Sequence, residues 1–139
     1  MFKLDHRLEK DSEFIADWGA FSLRLMRDER FFWVLIIPRL SGISEWHHLS
    51  ASELTQMNRL TSYLSLHIKE SENADKINIG ALGNIVSQFH LHLIARHMSD
   101  AAWPGPVWGA GAPVPPATQT MVRRKQMIFD LLADFREQS

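Results

Sequence analysis

The sequence predicts an α+β domain, an antiparallel sheet of about five strands carrying a central helix and a C-terminal helix. Two apolar stretches, Phe21 to Met26 and Phe31 to Ile37, have strand character and flank the polar turn Arg27-Asp28-Glu29-Arg30. Leu54, Met57, Leu60, Leu64 and Ile68 recur at steps of three and four, the spacing of one helix face. A second strand pair and a second helical pattern follow in the same order, which stacks helices on a sheet. The 139 residues suit a single domain, and 45% hydrophobic with 22% charged residues is a globular composition.

Residues 1–20 are polar with apolar anchors at Phe14, Ile15 and Trp18, the pattern of a short helix or an irregular arm laid on a core that runs from 21 to 108. In the first strand Phe21, Leu23 and Leu25 alternate with Ser22, Arg24 and Met26. The second is apolar on both faces up to Pro38, so it belongs inside a sheet covered on both sides. Ser50-Ala51-Ser52-Glu53 has capping-box spacing, which starts the central helix and carries it to about Ser71.

Lys76 to Ile79 reads as a short strand. Gly80 and Gly83 bracket a turn before a longer strand from Ile85 to about Ala95. Residues 100–118 hold five of the six prolines and three of the seven glycines, so they form a loop, packed through Trp103 and Trp108. Met121, Ile128, Leu131, Leu132 and Phe135 mark the final helix over 119–138.

Fifteen basic and sixteen acidic side chains leave a net charge of −1, without the basic excess of a duplex nucleic-acid binder. The absence of cysteine removes disulfides and thiolate chemistry and fits a cytoplasmic protein. No apolar run is long enough for a membrane span or a secretory signal.

The chemistry concentrates in Gly83-Asn84-Ile85-Val86-Ser87-Gln88-Phe89-His90-Leu91-His92-Leu93-Ile94. On a strand, Gln88, His90 and His92 stand in one row about 7 Å apart, with Phe89, Leu91 and Leu93 on the core side. Such a row reads in three ways. It is solvent-facing decoration, or a His-x-His metal pair, or a nucleophilic site. A closed metal site needs further ligands, yet no glutamate lies between Glu72 and Glu137 and glutamine is a poor ligand. A neutral imidazole attacks phosphorus when its other nitrogen donates to a carbonyl or carboxylate. Neighbouring donors then hold the phosphoryl oxygens. His90, in the middle of the row, has a partner on each side.

This segment resembles the motif of the histidine-triad family, His-φ-His-φ-His-φ-φ with φ apolar. The hairpin ending Val34-Leu35-Ile36-Ile37-Pro38-Arg39, the capped helix after it, the Gly83-Asn84 approach and the Trp103-Pro104 pair resemble the family's layout too, closest to its small bacterial members. The resemblance implies a histidine-triad fold, a homodimer and a purine nucleotide or dinucleotide as the small-molecule partner. It also implies a nucleotide hydrolase or nucleotidyl transferase acting on an α-phosphorus through a nucleotidyl-histidine intermediate. Dinucleoside polyphosphates, phosphoramidates and acyl-nucleotides are the substrates it suggests, with a nucleotide sensor of little turnover as the alternative. It carries over His90 as nucleophile and His92 as phosphate contact, with Gln88 standing where the family has its first histidine. Asn84 takes the place of an α-phosphate contact. Asp28 lies near the ribose contact, although an aspartate at a turn equally bonds its own backbone. Trp103 and Trp108 either stack on a nucleobase or pin the proline-rich loop. The mechanism requires no metal and no cofactor; a divalent ion can accompany a polyphosphate substrate. The sugar-nucleotide transferase branch of the superfamily also has a glutamine in its triad, at the other end.

Overall fold

The computed structural model describes residues 1–138. A five-stranded, fully antiparallel sheet has the order β1-β2-β3-β5-β4, built from β1 (Ser12–Trp18), β2 (Phe21–Met26), β3 (Phe32–Pro38), β4 (Lys76–Gly80) and β5 (Leu91–Arg96). A short helix α1 (His6–Asp11) precedes it, α2 (Ala51–Ser71) joins β3 to β4, and α3 (Thr118–Gln138) closes the chain.

The central strand β3 is buried along its whole length, as its two-sided apolar pattern requires. Its two faces serve two cores. Val34 and Ile36 join Leu23, Leu25, Leu91 and Leu93 beneath α2 and α3, which contribute Met57, Leu60, Leu64, Ile68, Ile128 and Leu132. Burying each of these large aliphatic side chains stabilises the fold by roughly 1.5–3 kcal/mol. Trp33, Leu35 and Ile37 face the other way and pack with Leu8, Val86, Ile94 and Val107 from α1 and the long loops.

Helix α2 starts where the capping box places it. Ser50 Oγ accepts from the Glu53 amide at 3.2 Å, and the Glu53 carboxylate accepts from the Ser50 amide at 2.9 Å. Residues 97–117 form the expected loop. Its base is held by Arg96, a buried guanidinium that donates to both oxygens of Asp100 at 2.8 and 3.0 Å and to the Gly105 carbonyl at 2.8 Å.

Two expectations are corrected. Residues 1–20 do hold a short helix, α1, but the rest is not an irregular arm, because it pairs with β2 as an edge strand. The strand was hidden because the register shifts between Phe14 and Ala16; Ile15 and Ala16 are both buried while Phe14 is half-exposed, which breaks the alternation. The long strand from Ile85 is the second. Regular pairing begins only at Leu91, and residues 81–90 are irregular. Their backbone groups go elsewhere: the Phe89 amide donates to the Ile43 carbonyl at 3.0 Å, and Gly83 adopts φ +75°, outside strand geometry.

Candidate active site

The sheet face turned away from α2 and α3 carries the site. His92 lies opposite Leu35 of β3, and Trp33 is two positions before Leu35, so both rings stand on the same face. A cavity of about 780 Å³ opens there, lined by Met26, Asp28, Arg30, Trp33, Leu35, Asn84, Val86, His90, His92 and Trp108 among others. A second cavity of about 360 Å³, lined by Ser44, Glu45, Trp46, Ile79, Leu82 and Phe89, also reaches His90. His90 therefore borders both.

His90 Nδ1 lies 2.7 Å from the Gln88 carbonyl oxygen. A carbonyl only accepts, so the neutral ring carries its proton on Nδ1 and keeps the Nε2 lone pair. Burial lowers the His90 pKa and outweighs the opposing Gln88 hydrogen bond and Asp5 charge, so the ring is neutral near neutral pH. His92 is also buried. Its ring centroid lies 4.7 Å from that of His90, and its Nδ1 accepts from Trp33 Nε1 at 2.9 Å. Burial, with a smaller contribution from the charge of protonated His90, pulls the His92 pKa down to about 3. Trp108 presents its ring to His92 at 5.2 Å and 82°, an edge-to-face contact.

The sequence-derived residues are only partly assembled here. His90, His92, Asn84 and Asp28 line the large cavity, whereas Gln88 and Trp103 do not. Gln88 has left the row because its segment is not a strand. Its side-chain oxygen accepts from the Asp5 amide and its nitrogen donates to the Lys3 carbonyl, both at 2.9 Å, so the amide staples the N-terminal segment. Only its backbone carbonyl serves His90.

Trp103 lies beside the Arg96 guanidinium at 5.7 Å, pinning the loop, and Trp108 takes the cavity wall instead. Asp28 is 2% exposed, and its Oδ1 accepts from the backbone amides of Arg30 and Val114 at 3.1 and 3.3 Å. Burial works to raise its pKa, but those bonds and the Arg30 guanidinium hold the carboxyl below the usual range. The turn role therefore accounts for the Asp28 contacts present, and Asn84 is exposed at the cavity mouth.

Sequence reasoning missed Trp33 and Arg30, and it left Trp108 undivided from Trp103. The parity of Trp33 with Leu35 and Ile37 was legible, but pairing it with His92 requires the β3–β5 register. Among the described residues, no group of three or more His, Cys, Asp or Glu side chains is placed to hold a metal, and no helix is long and apolar enough to cross a membrane.

The family model of the HIT domain matches residues 7–99. The chain belongs to the histidine-triad (HIT) family. Two crystal structures of HIT proteins resemble it over nearly the whole length. One, from Sinorhizobium meliloti, is 39% identical over 93% of this chain and 96% of its own, with a TM-score of 0.89. The other, from Marinobacter aquaeolei, is 38% identical over 96% and 98%, with a TM-score of 0.92. The diadenosine triphosphate hydrolase of Plasmodium falciparum shares the fold at 14% identity, over 96% of this chain and 82% of its own, with a TM-score of 0.65. No curated protein matches the chain.

Proposed function

We propose that this HIT protein is a nucleotide hydrolase or nucleotidyl transferase that works through a nucleotidyl-histidine intermediate on His90. The observation that carries the reading is the 2.7 Å contact from His90 Nδ1 to the Gln88 carbonyl, in a ring bordering two cavities. It leaves the Nε2 lone pair for attack on an α-phosphorus. The P–N bond forms as the bond to the leaving group breaks and that group departs with the electron pair. Water then attacks the same phosphorus and loses a proton to solvent as the P–N bond breaks, its electron pair returns to Nε2, and neutral His90 is restored. His92 and Asn84 are the proposed contacts to phosphoryl oxygens; Arg30 also lines the cavity, with its guanidinium paired to Asp28.

The substrate in this reading is a purine nucleotide derivative, and the active assembly is a homodimer. Support for the dimer comes from β4, an edge strand whose Ile79 is half-exposed. No metal enters the proposed chemistry, although a divalent ion can accompany a polyphosphate substrate.

A second reading, a nucleotide-binding protein of little turnover, is favoured by one observation. Gln88 cannot donate a proton as an acid, and its amide is already bonded to Lys3 and Asp5. Incubation with radiolabelled adenosine phosphoramidate and with diadenosine triphosphate separates the two. Turnover with an acid-labile protein adduct, both lost in His90→Ala, supports the enzyme. Saturable binding without product or adduct supports the binding protein.

A further inference from the structure

We propose that Trp33 is a positioning residue that holds His92 as the tautomer protonated on Nε2, making it a permanent hydrogen-bond donor to a phosphoryl oxygen. The inference deepens the reading of the site given above and rests on it for the identity of the acceptor. The tautomer itself depends only on the geometry.

An indole N–H has no lone pair to offer, so Trp33 Nε1 only donates. At 2.9 Å from His92 Nδ1 it requires a lone pair there, and the proton of the neutral ring is on Nε2. No hydrogen bond among the described residues uses that Nε2, and it is not among their sealed, unpartnered polar atoms, so it is left to the cavity that His92 lines. Protonating Nδ1 instead would set two N–H groups head to head in a buried site, where water cannot relieve the conflict.

The two indoles divide the work. Trp33 fixes the tautomer, and Trp108 closes the ring edge-on at 5.2 Å, which restricts rotation about the ring axis. Trp108 reaches that position because Gly80 has no side chain, since a Cβ there would lie 2.9 Å from its Cη2. The charged and titratable groups sharing the cavity are Lys10, Asp11, Arg27, Asp28, Arg30 and His90; among the described residues none is hydrogen-bonded to the His92 ring.

His92 therefore orients and stabilises the phosphoryl group while surrendering no proton. With Gln88 committed to the N-terminal backbone, neither outer member of the row is an acid at neutral pH. The leaving group must depart unprotonated by the row or take its proton from water.

Histidine-selective ¹⁵N labelling and long-range ¹H–¹⁵N NMR of the full chain test this directly. The expected wild-type spectrum has His92 protonated on Nε2, unprotonated on Nδ1 and unchanged through mildly acidic pH. In Trp33→Phe, which keeps an aromatic ring in the wall, His92 is expected to populate both tautomers and to titrate at higher pH. Substrate turnover in that variant is expected to lose about tenfold in kcat, the scale of one orienting hydrogen bond, with KM little changed. A wild-type His92 carrying its proton on Nδ1, or charged at neutral pH, overturns the proposal, as does a Trp33→Phe spectrum identical to wild type. Absence of turnover in the wild type counts against the hydrolase reading alone, because the spectra decide the tautomer without substrate.

Discussion

Replacing His92 with glutamine removes a titrating group from a buried site while leaving an acceptor for Trp33 Nε1. In the folded chain burial holds the His92 pKa at about 3, far below the ordinary imidazole value of about 6.5. Its proton is therefore bound more weakly in the folded state, and unfolding takes one up wherever the pH lies between those two values. The contribution to stability is fully present above the unfolded pKa and is lost as pH falls towards the folded one. Between about pH 7 and about pH 5 the linkage integral for a single such ring comes to about 2 kcal/mol. With a urea dependence of about 2 kcal/mol per molar for a domain of this size, the wild-type midpoint should drop by about 1 M over that interval from this ring alone. Paired carboxylates contribute mainly below that window, because their unfolded pKa values lie at about 4. His90, whose pKa burial also lowers, adds a decrement common to both proteins. Urea titrations of wild type and His92→Gln at both pH values isolate the His92 contribution as a difference of differences. Parallel pH dependences in the two proteins would refute the assignment of a buried neutral His92.

Two further substitutions probe the supports of the site. Gly80→Ala should cost about 1–3 kcal/mol by overpacking against Trp108 and should change tryptophan emission as the indole shifts from His92, with unchanged melting and fluorescence counting against the close approach. Gln88→Ala should cost about 1–3 kcal/mol for two hydrogen bonds and raise hydrogen exchange at the Asp5 amide, so persistent protection there would show that the clasp is not what orders the N-terminal segment.

What was legible in the chain followed the range of the forces involved. The Ser50–Glu53 cap and the face through Met57, Leu60 and Leu64 are set within one or two helical turns and were readable. The turn role of Asp28 was readable as well, because the carboxylate bonds an amide two residues on. β1 escaped detection because its bulge puts two buried residues in succession. In the histidine row, the alternation that placed His92 beside His90 was sound, but it assumed an extended backbone back to Gln88. That stretch donates hydrogen bonds to Ile43 and Lys3 and accepts one from Asp5, partners far away in sequence. Trp33 and His92, 59 positions apart, meet only through the β3–β5 register, which composition does not encode.

The clasp between Gln88 and the chain's first residues spans 83 and 85 positions, and β5 enters the sheet between β3 and β4. Contacts of such separation are entropically expensive to close and form after local ones have lowered the cost. During synthesis, the hairpin and α2 emerge first, while the wall around the histidines stays incomplete until β5 and then Trp108 have followed. The reactive centre is in this sense a product of chain closure, dependent on the first residues being held against a segment more than eighty positions away.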